Sequence, residues 1–355
     1  MSILVINSGS ASLKYKLFDS ADKEIGAGSF TKVKSLEQAL KSALRQISNL
    51  QEIEAVGHRL VHGGDKFIKS TIVDDKVLSE LEQFNDLAPL HNLSNLAGIK
   101  AAREFLPNLP QVAVFDTAFY ANLPEVAQTY ALPIQISQKY KIKRYGFHGL
   151  SHQFIMEEAM VKLSLKNQPN FITCHLGGGW SVTAIKNGKP VDTSMGWTPL
   201  EGLVMMTRSG SLDPGIVVEL LKHKAAESPA ENLTTAAEKI YNLLNYESGL
   251  KGLSGGIGDY QSLLKEMSLG DRRAKLAFDV AIYNLAKYIG AYWSVLEGRV
   301  DAIIFTGAIG AGNPITRNKT MARLKFLGDI KVMAIPANEE LMIAREVKQI
   351  INCYC

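Results

Sequence analysis

The chain has 355 residues, 46% of them hydrophobic and 21% charged, with a formal net charge of +4. That length suggests two domains at ~100–200 residues each, and the composition is that of an ordinary globular protein able to bury a sizeable core. The small positive charge is spread without a Lys/Arg block, which argues against strong nucleic-acid or polybasic membrane binding.

In chain order, Ile3–Ile6 is a buried strand, the polar run Asn7–Ser12 a turn, and Leu13–Phe18 alternates as a second strand. The same unit returns later: apolar Phe171–Cys174, the glycine turn His175–Gly179, a strand over Ser181–Ile185 and a hairpin turn at Lys186–Lys189. Each half of the chain thus opens on one strand–turn–strand unit, which points to two related domains. Helical periodicity marks Leu36–Ile47, His91–Phe105, Ser151–Leu165 and Arg272–Leu296. Asp301–Phe305 is a further buried strand, followed by the loop Thr306–Asn313. Asn338–Ile351 closes as a helix whose acidic first turn, Glu339 and Glu340, suits the helix dipole. Strands alternating with helices give an α/β class, with the domain boundary near Gly146–Gly149.

Three cysteines, Cys174, Cys353 and Cys355, are too few for a disulfide framework and fit a reducing compartment. The terminal Cys-x-Cys reads as free thiols rather than a metal chelate. Ile3–Ile6 is too short for a signal peptide, and no apolar run approaches the ~20 residues of a transmembrane helix. A soluble, cytoplasmic protein is expected.

Three small-residue loops follow strands: Asn7–Ser12 with Lys14 behind it, His175–Gly179, and Ala308-Ile309-Gly310-Ala311-Gly312. Such loops expose backbone N–H groups to phosphate, and ligands of open α/β sheets bind outside the carboxyl ends of strands. No G-x-x-x-x-G-K-[ST] motif occurs. Arg59 and Arg208 sit in glycine-rich company, and arginine makes bidentate contacts to carboxylates and phosphates. The pairs His148/His152 and His58/His62 lack the third ligand of a zinc site. Gly252–Gly256 fits G-x-S-x-G, but no buried strand precedes it, so it reads as a loop rather than a nucleophile elbow.

Together, Val5–Lys14, Gly57–Gly64, Phe115–Phe119, Tyr145–His152, Thr193–Gly202 and Asn338–Leu341 resemble the acetate kinase family of the sugar kinase and actin superfamily, over a stretch from Ile3 to about Glu346. The resemblance implies two duplicated actin-like (ribonuclease H-like) domains with a cleft between them. They would comprise residues 1–146 plus 340–355, and residues 147–339 for the nucleotide. It implies Mg²⁺ held through Asn7 and Glu339, and phosphates faced by Ser12 and Lys14. Arg59 would hold the substrate carboxylate, and Val61, Leu90, Phe147 and Pro199 would enclose its short apolar tail. Asp116, His148 and Arg208 would be catalytic. The ATP or ADP co-substrate would meet His175, Leu176, Gly177, Gly178 and Gly179, then Asp259, Tyr260 and Gln261, then Ala308–Gly312. A homodimer is implied as well.

A carboxylate acceptor with a pKa of about 4–5 is already ionised at neutral pH, so Asp116 is expected to position Arg59, the metal or water rather than remove a proton. The nucleotide loops depart from the family: Gly178 replaces an asparagine, Ala311 a glutamate and Gln261 an arginine. Trp180 beside the second loop either stacks on a base or fills the core. The resemblance implies Mg-dependent, reversible phosphoryl transfer between ATP and acetate; propionate as the acceptor, another phosphoryl donor such as pyrophosphate, and a non-catalytic nucleotide-binding relative are the alternatives. Butyrate kinases are similar in length, but the Phe115–Phe119 and Tyr145–His152 stretches favour the acetate type.

Overall fold

A computed structural model describes residues 1–9, 12–33, 35–47, 50–83, 89–227 and 233–354, apart from the side chains of 89–92, 225–227 and 354. Ser10 and Ala11 of the first turn, the Leu90 side chain and Cys355 lie outside the described residues. The chain forms two compact units, one of residues 1–122, 147–154 and 338–355, the other of 123–146 and 155–337.

The first unit is built on six strands: β1 (Ser2–Gly9), β2 (Ser12–Phe18), β3 (Glu24–Thr31), β4 (Ile53–Leu60), β5 (Thr71–Ile72) and β6 (Gln111–Phe115). Their order is β3-β2-β1-β4-β6-β5. An antiparallel meander, β3-β2-β1, is extended by the parallel pairs β1-β4 and β4-β6. Strands inside such a sheet are covered on both faces, and Ile3, Leu4 and Val5 are accordingly fully buried. Leu4 and Ile6 pack towards Leu40 and Leu44 of the helix Leu36–Gln46, whose first turn is capped by the Ser35 hydroxyl accepting from the Gln38 N–H at 3.3 Å. The helix Glu339–Tyr354 buries Met342, Ile343 and Val347. It approaches β4 so closely that a Cβ on Gly57 would lie 2.7 Å from Ile343.

The second unit repeats the plan with β7 (Phe171–Leu176), β8 (Trp180–Lys186), β9 (Lys189–Thr193), β10 (Ala302–Thr306) and β11 (Val332–Ala334), in the order β11-β10-β7-β8-β9. Again a three-strand antiparallel meander is continued by two parallel strands. The long helix Arg272–Val295, capped by Asp271, buries Phe278, Ile282, Leu285 and Ile289. The two duplicated actin-like sheets expected from the sequence are present.

One expectation needs correction. The sequence reading ends the first strand at Ile6, whereas β1 continues to Gly9 because Asn7 pairs with Lys14 and Ser8 with Leu13 across the hairpin. Polar residues persist as strand where a ladder partner satisfies their backbone. Among the described residues no helix is long and apolar enough to cross a membrane.

Candidate active site

The first unit gathers its chemistry at the carboxyl ends of β1, β4 and β6. The last paired residues of β1 and β4 are Ile6 and His58, so Asn7 and Arg59 follow at the same level on neighbouring parallel strands. Leu60 pairs with Phe115, and Asp116 is the next residue. The Asp116 N–H donates to the Leu60 carbonyl at 3.0 Å, fixing the turn out of the sheet. Arg59 then donates through Nη2 to Asp116 Oδ2 at 2.8 Å and through Nη1 to Glu339 Oε2 at 3.0 Å. Asp116 is only 2% exposed, so this ion pair is sheltered from water.

Burial works against the Arg59 charge, but Asp116, Glu339 and Glu340 outweigh it and hold the guanidinium above its ordinary value. Arg59 Nε is buried without a hydrogen-bond partner among the described residues. A guanidinium has five donor hydrogens, so Nε and the second hydrogens of Nη1 and Nη2 remain for a ligand. The Asp116 carboxylate thus occupies one edge of the Arg59 guanidinium.

These strand ends also suit a hard divalent cation. Asn7, Asp116 and Glu339 offer oxygen donors, with two carboxylates to one guanidinium. Among the described residues no group of three or more His, Cys, Asp or Glu is arranged to hold a metal, so a cation here would depend on substrate oxygens and water as well. Magnesium binds in that manner.

Lys14 is exposed opposite Asn7, and Ser12 is half-buried opposite Gly9. Phe147 is buried, its carbonyl accepting from the Tyr120 hydroxyl at 3.1 Å and its ring meeting His62 edge-on at 5.7 Å. Val61 is half-buried. His148 has φ 59°, a left-handed conformation uncommon for a residue with a Cβ and typical of functional sites. Gly149 after it must be glycine, since a Cβ would lie 2.0 Å from the Asp116 carbonyl oxygen. The helix starts only there, so His148 and His152 do not share a helical face. His152 is buried beside the Tyr120 ring. His58 is a core residue: burial drives it down to about 4, and its Nε2 meets Gln111 Oε1 at 2.8 Å.

In the second unit the equivalent strand ends, β7 and β10, carry the glycine loops, with Thr306 paired to His175. The Gly177 N–H donates to the Gly179 carbonyl at 3.0 Å, closing the first loop. No atom lies within 4 Å of where a Gly178 side chain would begin. Leu176 and Trp180 are fully buried. The Trp180 indole N–H donates to the Gly177 carbonyl at 3.0 Å, so this tryptophan fills the core rather than offering a stacking face.

The segment Thr306–Asn313 is not a simple loop. Gly307–Gly310 makes a helical turn, and Arg317 donates to the carbonyls of Gly310 and Ala311 at 2.7 Å each. Ala308 and Gly312 are exposed, and Ile309 and Gly310 buried. Beside them lies a cavity of about 490 Å³ lined by Gly307, Ala308, Ala311, Gly312, Ala334, Pro336 and Ala337. None of these side chains donates or accepts a hydrogen bond.

Asp259 caps the helix Tyr260–Ser268, its carboxylate accepting from the Ser262 N–H at 2.9 Å. The buried Tyr260 hydroxyl lies 2.7 Å from Thr316 Oγ1, and Gln261 is exposed. Ser254 follows the helix Gly249–Leu253, so the G-x-S-x-G match is no nucleophile elbow. Pro199 is half-buried in the loop after β9.

Arg208 occupies a different setting. Its Nη1 meets the Met205 sulfur at 3.8 Å, and among the described residues no carboxylate pairs with it. Burial holds its pKa below the ordinary arginine value, while Tyr246 and Tyr241 act weakly the other way. An uncompensated, half-buried guanidinium is a receptor for an anion.

The sequence profile of the acetokinase family matches residues 23–330. The chain is 42% identical to the acetate kinase of Thermotoga maritima over an alignment 409 positions long, covering 99% of each. That alignment is longer than the chain, so segments present in the relative are missing here. Among solved structures, the acetate kinase of Porphyromonas gingivalis matches with a TM-score of 0.90 at 35% identity over 99% of both chains. A propionate kinase from Francisella tularensis matches with 0.88 at 34% identity, over 97% of this chain and 98% of the other. The chain therefore belongs to the acetokinase family.

Proposed function

We propose that this protein is an acetate kinase, catalysing reversible phosphoryl transfer between ATP and acetate to give acetyl phosphate and ADP. The observation that carries the proposal is the pair of arginines. Arg59 is oriented by Asp116 and Glu339 with donors to spare, and Arg208 has no carboxylate counter-ion among the described residues. A carboxylate and a phosphoryl group are the two anions that such a pair serves.

Phosphoryl transfer passes through a loose transition state with charge on the equatorial oxygens, so positioning and electrostatics dominate. Arg59 holds the acetate carboxylate, and Asp116 keeps the guanidinium in place. Val61, Leu90, Phe147 and Pro199 limit the acyl chain. Arg208 and His148 stabilise the charge on the transferring group. Ser12 and Lys14 face the phosphates. Asn7 and Glu339 hold Mg²⁺, which when bound neutralises charge on the phosphate oxygens. The nucleotide belongs to the second unit, along His175–Gly179, Asp259–Gln261 and Ala308–Gly312. We further assign the enzyme to the cytoplasm as a homodimer.

The test is a hydroxamate assay that traps acyl phosphate, run with acetate and propionate and with ATP, GTP and pyrophosphate as donors. Acetyl hydroxamate formed with ATP is the expected result; no acyl phosphate from any pairing would overturn the proposal. Propionate is the second reading, favoured by the similarity to a propionate kinase.

A further inference from the structure

Arg208 lies on a loop whose neck is closed by two hydrogen bonds. The Gly202 N–H donates to Ser211 Oγ, and the Ser211 N–H donates to the Gly202 carbonyl, each at 3.0 Å. Within the loop the Met205 N–H donates to the Arg208 carbonyl at 3.1 Å. The residue before the neck is Glu201, and both of its carboxylate oxygens are engaged. Oε1 accepts from Arg144 Nη2 at 2.7 Å, and Oε2 accepts from the Tyr130 hydroxyl. That hydroxyl accepts in turn from the Trp197 N–H at 2.9 Å. Burial first, and then the Glu201 carboxylate, hold Tyr130 above the ordinary phenol value, so it remains a donor.

Arg144 ties the same carboxylate to the backbone around it. Its Nη1 donates to the carbonyls of Thr193 at 3.0 Å and Met195 at 3.2 Å, and its Nε to that of Ala127 at 3.2 Å. The clamp leaves no space at Gly196, where a Cβ would sit 1.7 Å from Glu201 Oε2 and 2.0 Å from the Tyr130 hydroxyl oxygen. None of these groups is assigned to acetate, nucleotide or metal.

We propose that Glu201 is a positioning residue for Arg208: gripped by Arg144 and Tyr130, its carboxylate fixes the neck of the loop that presents the Arg208 guanidinium. This rests on the reading of Arg208 as the group that stabilises the transferring phosphoryl. A guanidinium with no carboxylate of its own has little else to hold its direction, and small displacements of a charged catalytic group cost large factors in rate.

The test is a kinetic cycle. Glu201→Gln keeps the shape of the side chain and removes its charge. It should lower kcat by about tenfold or more while the acetate KM stays within about twofold, the pattern of an interaction made in the transition state. In the Arg208→Ala background the same change should cost less than about twofold, because a residue that acts through Arg208 has nothing left to position. Equal losses in both backgrounds, or an unchanged kcat, would overturn the assignment. Should the unmutated chain form no acyl phosphate, the functional reading falls, and amide hydrogen exchange still decides the clamp. Glu201→Gln should speed exchange at the Gly202 and Ser211 amides by about tenfold relative to those of β7. Unchanged exchange at the neck would overturn it.

Discussion

In the first unit Arg59 is gripped by two carboxylates at the ends of neighbouring strands; in the second, Arg208 has a methionine sulfur beside it. The contrast separates two uses of one side chain. The charge of Arg59 is already balanced by the protein, so its position is fixed before a ligand arrives. Among the described residues no carboxylate balances the charge of Arg208, so in the proposed function its loop holds it and an anion neutralises it. The first arrangement gives direction, the second gives field strength.

The sharpest way to break this comparison is to remove each arginine in turn. Arg59→Ala should lower kcat by about 10²–10³, the usual effect of losing one positioned charge contact, or ~3–4 kcal/mol. It should also destabilise the fold by about 3–5 kcal/mol, because the buried Asp116 carboxylate loses its partner. Arg208→Ala should lower kcat by a similar factor of about 10²–10³ with less than about 1 kcal/mol change in stability, since no carboxylate is stranded. Kinetics with urea melts on both variants check this. Near-normal rates in both would end the mechanism, and equal stability losses would end the contrast.

The glycine loops of the second unit, proposed to meet the nucleotide, yield a smaller effect. With Gly178 exposed and the cavity beside Gly307–Gly312 lined by glycine, alanine and proline, the side chains at these two places offer nothing to read a base edge. ATP and GTP should therefore give kcat/KM values within about tenfold of each other, a spread of ~1.4 kcal/mol. Initial rates at saturating acetate test this, and a thousandfold preference for ATP would mean that other residues read the base. The smallest effect is expected at Val61 in the first unit. A methylene in an apolar pocket is worth ~1–3 kcal/mol, so Val61→Ala should shift the preference towards propionate by about five- to tenfold. If butyrate outperforms acetate in the unmutated enzyme, the pocket is misassigned.

Continuous apolar runs made β1, β7 and β10 legible in the sequence, and the repeated strand–turn–strand pattern foretold that the two sheets share one topology. The glycine loops and both arginines were legible because few residue types tolerate close ligand approach or bidentate anion contacts. Apart from Asp116, for which Arg59 was one of the expected partners, side-chain partnership was not legible. Glu339 read as an acid favouring a helix dipole, yet it pairs with Arg59 from the far end of the chain. Glu201 and Arg144 stood inside or beside recognisable motifs, but nothing local indicates that they meet across 57 positions. Arg317, gripping the carbonyls of Gly310 and Ala311, likewise carries no motif. Asn7–Gly9 was misread because polar composition suggests a turn, while cross-strand pairing settles the matter.

The helix Glu339–Tyr354 has a consequence for how the protein is made. It covers β4 at Gly57 and brings Glu339 to Arg59, yet it is translated only after the whole of the second unit has been translated. Until then the first sheet must wait with an apolar face open and Arg59 lacking one of its two carboxylates. A nascent chain that ends before Asn338 thus lacks the cover of β4 at Gly57 and the second carboxylate of Arg59, and transiently exposed apolar surface of that kind favours aggregation.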